Sequence, residues 1–184
     1  MSKEKFTQIY TESIQRDGAD KLLEWLEKSD FFTAPASGRF HGCHEGGLVE
    51  HSINVFRRLE CDNAETRAIC ALLHDLCKVN FYKLSKRNVK NEKNGKWESK
   101  PYYTIEDQLP YGHGEKSVYI ISGFMKLTRE EAMAIRWHMG GFDDSVRGGS
   151  FAMSGAFEKY PLAVQLHIAD LQATYLDEVR DETN

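Results

Sequence analysis

The chain has 184 residues, 41% of them hydrophobic and 28% charged, a balance that suits one soluble globular domain with a proper core and leaves little room for two. Its formal net charge of −4 argues against a general nucleic-acid coat or a polybasic membrane binder. The opening MSKEKFTQIY lacks the apolar core of a signal peptide and no stretch approaches a membrane span, so a cytoplasmic protein is expected.

In chain order, 3–16 reads as a helix with Phe6, Ile9, Tyr10 and Ile14 on one side, interrupted by Gly18. A second helix over about 19–28 offers Leu22, Leu23, Trp25 and Leu26, and 35–47, rich in Gly, Ser and His, reads as a loop. Helix 47–60 carries Leu48, Val55, Phe56 and Leu59, and helix 64–78 carries Ala68, Ile69, Leu72, Leu73 and Leu76. The segment 82–110 breaks the helical pattern. Its Asn94-Gly95 predicts a tight turn in an inserted β-hairpin (about 85–107), with Tyr102 and Tyr103 on the returning strand. Helices 115–126 and 129–139 follow. Thr128 with Glu131 forms a capping box for the second, and Gly140 and Gly141 stop it. A last helix runs over about 160–179 with Pro161 in its first turn. The expected fold is all-α, one domain over 1–184: N-terminal helices and loop (1–45), then a core (46–180) carrying the 82–110 insertion.

The cysteines Cys43, Cys61, Cys70 and Cys77 form no C-x-x-C pair, so a thiolate zinc knuckle is not expected. Cys70 and Cys77 fall on apolar helix and read as small core residues. The chemistry lies with His74-Asp75, which closes the apolar run AICALLHDLCK. Burying both beside leucines is costly unless something compensates them, and a metal ion does so directly. Lys78, three residues after Asp75 and four after His74, shares their face and can meet an anionic substrate. His51 lies between Leu48 and Val55 on the inward side of its helix. His113 sits in a Gly-rich helix start, His138 in a last helical turn after Ala134 and Ile135, and Asp170 on a face with Ala163, Leu166, His167 and Thr174. Each alone is commonplace as a satisfied core or boundary residue. Five segments that each present an inward ligand-type residue point to a buried polar centre.

The ordered set GGLVEHS, LLHDLCK, YGHGEKS, RWHMG and HIAD resembles the HD-domain metal-dependent phosphohydrolase superfamily, over about Gly46 to Asp170. It resembles the subset with a two-metal centre, such as cyclic-dinucleotide phosphodiesterases and the HD domain of a bacterial 3′→5′ exoribonuclease. The resemblance implies an HD-domain helical bundle. It implies His51, His74 and Asp170 as ligands of one metal, His113 and His138 as ligands of a second, Asp75 as the bridging carboxylate and Lys78 as a contact to substrate phosphate. Cys77 stands where the family usually has Gly, and the hairpin lies outside the common HD core, where it would shape substrate choice.

Two cations about 3.5–4 Å apart share and acidify a bridging water, whose hydroxide form attacks phosphorus. Imidazole and carboxylate donors suit Mn or Fe, with Co, Ni or Zn as alternatives. The substrate expected is a phosphorylated small molecule, a nucleotide or a short nucleic acid, with no membrane and no obligate protein partner. Further candidate substrate contacts are His44, Lys116, Arg136 and His167, the last also able to orient a ligand. His41 is expected to be solvent-exposed. The hairpin cations Lys83, Lys86, Arg87, Lys90, Lys93, Lys96 and Lys100, against Glu92, Glu98, Glu106 and Asp107, either steer a polyanion or keep a surface wet. Trp97, Tyr102, Tyr103 and Tyr111 either stack on bases or pack the hairpin. Two other functions fit the same ligand order: a di-iron oxygenase acting on a small alcohol or phosphonate, and a non-catalytic nucleotide-binding sensor.

Overall fold

A computed structural model of the chain describes residues 1–92 and 94–178. Among these residues it is all-helical apart from one antiparallel two-stranded hairpin, as the sequence predicts. α1 (Ser2–Ser13) buries Phe6 and Tyr10, and α2 (Ala19–Lys28) buries Leu22 and Leu26. α3 spans Gly47–Arg58. α4 spans Ala64–Leu73, where the Asn63 side chain caps the first turn by accepting from the Thr66 amide at 2.9 Å. Every residue from Ala68 to Leu73 is fully buried, so α4 is wrapped on all sides: it packs on α1 and α3, and on α6 (Arg129–Trp137), which has the expected Thr128–Glu131 capping box. α5 (His113–Ser122) packs on α6, and α9 (Pro161–Gln172) packs on α3 and α6.

Several expectations change. The fourth helix does not run to 78. It ends at Leu73, Asp75 leaves helical geometry (φ −105°, ψ 21°), and Leu76–Lys78 form a 3₁₀ turn. Neighbours on a regular helix diverge by about 100°, so the break lets the adjacent side chains of His74 and Asp75 point the same way. The last helix gives way after Gln172 to a π turn, Ala173–Asp177, and its expected end at 179 lies outside the described residues. Two short helices with no counterpart in the sequence reading, α7 (Asp144–Arg147) and α8 (Ala152–Lys159), link α6 to α9.

The hairpin pairs β1 (Tyr82–Lys90) with β2 (Trp97–Ile105), so its strands begin three residues before the expected start. Its turn is not the two-residue Asn-Gly type. A wider loop, closed by Asn91 N–H donating to Lys96 O at 2.8 Å, joins the strands, and Gly95 takes positive φ (71°).

A polar clamp fixes the N-terminal helices to the rest. The fully buried Glu131 carboxylate accepts from Arg16 at 2.6 and 3.0 Å, from Thr66 Oγ1 at 2.9 Å and from the Thr128 amide at 2.8 Å. It ties the α1–α2 link, α4 and α6 together.

Candidate metal centre

The fold brings all the sequence-derived ligand residues to one place. His51 projects from the inward stripe of α3, His74 and Asp75 from the end of α4, His113 from the start of α5, His138 from the end of α6 and Asp170 from α9. Gly114 makes one of these approaches possible. A Cβ there would stand 2.2 Å from the Arg136 carbonyl oxygen, so α5 and α6 touch backbone to backbone and the His113 and His138 rings come within 5.2 Å.

Asp75 occupies the middle, and its two oxygens face opposite ways. Oδ2 lies 3.6 Å from the Nε2 atoms of both His51 and His74. Oδ1 lies 2.9 Å from His113 Nε2 and 3.5 Å from His138 Nε2. His51 Nε2 is also 3.2 Å from His74 Nε2 and 3.1 Å from Asp170 Oδ1. Two donors on one cation with bonds of about 2.0–2.2 Å stand roughly 3–3.5 Å apart, so this spacing suits atoms that share an ion. Interlocking groups of these side chains, His51/His74/Asp170 and His74/Asp75/His138 among them, can hold a metal.

The outward ring nitrogens fix which nitrogen faces in. His74 Nδ1 donates to the Ala71 carbonyl at 2.9 Å and His138 Nδ1 to the Ile135 carbonyl at 2.7 Å. A carbonyl only accepts, so each Nδ1 carries the hydrogen and each ring turns its Nε2 to the centre. His138 Nε2 is fully buried with no hydrogen-bond partner among the described residues. A buried ring nitrogen without a hydrogen-bond partner, beside a carboxylate, is a position that a shared cation would satisfy.

Charge is concentrated here. Burial would raise the Asp75 carboxyl, but Lys78 first, then His74 and His113, hold it well below the usual range. Burial works against the Lys78 ammonium, and Asp75, 2.5 Å away, more than restores it, so Lys78 stays charged. His51 is opposed by burial yet lifted to about 10 by Asp170 and Glu178. Burial takes His74 down to about 3.

Two participants escaped the sequence reading. Glu178, just past the π turn, accepts from His51 Nδ1 at 2.8 Å. His41 is not solvent-exposed as expected. The loop folds it against His51, ring centroids 5.3 Å apart, and burial, with Lys78 and His51 adding, lowers it to about 4. Cys77 is buried as expected but also touches the centre, with Sγ 3.4 Å from both His113 ring nitrogens.

The remaining candidates divide. His167 lies one layer out: its Nδ1 donates to the His138 carbonyl at 2.6 Å, and it packs against Gly140. Gly140 has φ +54°, and a Cβ on it would come within 2.4 Å of the His167 ring. Arg136, expected at substrate, is buried between Glu115 and Asp143 (2.8 Å to the latter) and donates to Ser145, so its charge is already neutralised inside the protein. Lys116 is held by Asp107 and lies over the Phe81 ring. His44 is half-exposed, 3.6 Å from Glu50, and does not join the cluster.

A cavity of about 570 Å³ opens onto the centre, with Asp75, Lys78, His113 and Asp170 in its wall and His41, Tyr82 and Arg147 around it. Arg147, on α7, forms no ion pair among the described residues, and nothing in the sequence marked it. A second recess of about 320 Å³ meets the first along Lys78, His113, Met139 and Phe142. Among the described residues no helix is long and apolar enough to cross a membrane. Comparison with protein families, curated proteins and solved structures finds no match to this chain.

Proposed function

We propose that this chain is a metal-dependent phosphohydrolase or phosphodiesterase of the HD type, acting on the phosphate ester of a nucleotide or short nucleic acid. The observation that carries this reading is Asp75, whose two oxygens face separate imidazole sets (His51 and His74; His113 and His138) while Lys78 stands at the cavity wall. His51, His74 and Asp170 would hold one cation, His113 and His138 another, and Asp75 would serve both. Mn or Fe suits this mixed imidazole–carboxylate set best, with Co, Ni or Zn as alternatives. When bound, such ions supply Lewis-acid stabilisation of phosphoryl oxygens and a water acidified toward neutrality.

The chain's own groups do the rest. Lys78 presents a permanently charged ammonium to the cavity, where it stabilises negative charge growing on the phosphoryl oxygens in the transition state. Arg147, exposed at the cavity edge, offers a second cation for a substrate phosphate or its neighbour. Glu178 and the Ala71 and Ile135 carbonyls hold the three imidazoles in fixed orientations, so binding needs little rearrangement.

The test is metal analysis of protein purified without added metal, followed by a panel of nucleotides, cyclic dinucleotides and short RNA and DNA with Mn²⁺. Release of phosphate or a nucleotide monoester supports the reading. Lys78→Ala is expected to keep metal and lose most turnover. Oxygen consumption by the iron-loaded protein would replace hydrolysis with the oxygenase reading. Tight nucleotide binding with no turnover under any metal would leave a sensor.

A further inference from the structure

The hairpin has two unlike faces. Register partners share a face, so Tyr82, Leu84, Lys86, Asn88 and Lys90 lie with Ile105, Tyr103, Pro101, Ser99 and Trp97. That face bears no carboxylate. Glu98, the one acid within the strands, lies on the other. Beyond Tyr82 and Tyr103 the first face is open to solvent, with Trp97 70% and Leu84 63% exposed. Leu84 stands opposite the Tyr103 position and Trp97 opposite Lys90, so aromatic groups and lysines alternate along this face. Lys86 and Lys90 form no ion pair among the described residues, whereas Lys83 is matched by Glu106 at 2.9 Å. Lys93 lies outside the described residues.

This face leads to the metal centre. Tyr82, at its inner end, lines the central cavity, and its ring is 6.3 Å from that of Tyr103. Tyr103 in turn lines a separate recess of about 410 Å³ with Arg39, Leu84 and Pro101, joined at its edge by Arg87 and Tyr102 from the other face. The loop between the two is shared: Ser37 and His41 face the cavity, Gly38 and Arg39 the recess. From Tyr82 to Lys90 the strand covers about 27 Å, enough for several nucleotides of an extended strand.

We propose that this hairpin face is a track for a single-stranded nucleic acid, with bases stacking on Tyr103 and Trp97 and the backbone running along Arg39, Lys86 and Lys90 toward the centre. This rests on the reading that the centre acts on phosphate esters, and it narrows the substrate to an oligonucleotide. Interleaved aromatics and cations without acids are how proteins hold single strands without reading sequence. An acidic polypeptide would match the lysines but leave Trp97 and Tyr103 without partners.

The test is fluorescence anisotropy of labelled oligothymidylate and oligouridylate, about 12 nucleotides long, with the full chain in EDTA, so that binding is read apart from chemistry. The native protein is expected to bind at about 50 mM salt and to weaken steeply as salt rises. Trp97→Ala should lower affinity roughly tenfold. Lys86→Gln with Lys90→Gln should reduce the slope of log K against log salt by about 1.4, two phosphate contacts at about 0.7 each. All three side chains are exposed, so these variants are expected to keep the native circular dichroism and melting temperature. Binding of both variants with native affinity and slope overturns the track, as does polyglutamate binding as tightly as the oligonucleotides. Hydrolysis of a small phosphodiester by native protein that binds no oligonucleotide overturns the track and leaves the phosphohydrolase standing. Oligonucleotide binding that obeys the variants, without turnover under any metal, supports the track and removes the phosphohydrolase.

Discussion

Asp75→Asn separates the two tasks assigned to this carboxylate. The change keeps shape and removes charge. In the metal-free protein Asp75 is the one carboxylate within ion-pair distance of the buried Lys78 among the described residues, at 2.5 Å. Removing one partner of a buried pair typically costs about 3–5 kcal/mol. Asparagine can still accept a hydrogen bond from Lys78, so the low end, about 3 kcal/mol, applies. For a chain of this size 1 kcal/mol moves the melting temperature by about 2–4 °C, so a drop of about 6–12 °C is expected in EDTA. Mn²⁺ at about 100 times its Kd should stabilise the native protein by about 2.7 kcal/mol, or about 5–11 °C. The variant should show no such gain and should retain no metal on elemental analysis. Adding Lys78→Met, which replaces the ion pair by apolar volume, should restore the metal-free melting temperature without restoring metal. A metal-free melting temperature within about 2 °C of native would show that the carboxylate is not the partner of Lys78, and full metal occupancy in Asp75→Asn would show that it is not a ligand.

Glu178→Gln is expected to weaken metal binding about 10–100-fold, read by chelator competition, with the fold intact, since it loosens the orientation of His51 without removing a ligand. Removal of the buried Glu131 carboxylate by Glu131→Ala should cost about 3–5 kcal/mol in urea unfolding and leave metal stoichiometry unchanged, because it strands Arg16 far from the centre. The pH dependence of the metal-free protein should fall on both sides of neutrality. His51, lifted from 6.5 to about 10, adds stability that is complete below pH 6.5 and is lost as pH rises through its folded value. His41 and His74, lowered from 6.5 to about 4 and about 3, withdraw stability as pH falls through that interval. A metal needs His51 neutral, so loading should remove the alkaline loss and release a proton, seen as a buffer-dependent enthalpy in calorimetry. Urea midpoints that rise between pH 7 and pH 9 without metal would contradict the charge assigned to His51.

The centre was legible because its residues sit in regular elements. His51 between Leu48 and Val55, and Asp170 beside Ala163 and Leu166, inherit their direction from the helical stripe that buries those apolar neighbours. Glu178 could not be read this way. It follows a π turn, which shifts the side-chain register, and no apolar periodicity leads up to it. His41 lies in a loop whose course depends on backbone contacts such as Ala36 N–H donating to Gly42 O at 2.9 Å, which local composition does not encode. Arg136 leaves its expected place at substrate, and the unmarked Arg147 reaches the cavity, for a similar reason. The α7 turn that carries Asp143 and Ser145 to Arg136 also lifts Arg147 to the cavity, and a four-residue helix leaves little periodic signal.

Gly140 carries a consequence for how this protein tolerates mutation. It ligates nothing, yet any side chain there would collide with His167 and push it off the carbonyl that steadies the last turn before the centre. A saturation screen scored on retained metal should therefore return position 140 alongside the histidines, a hit that ligand chemistry alone would never nominate.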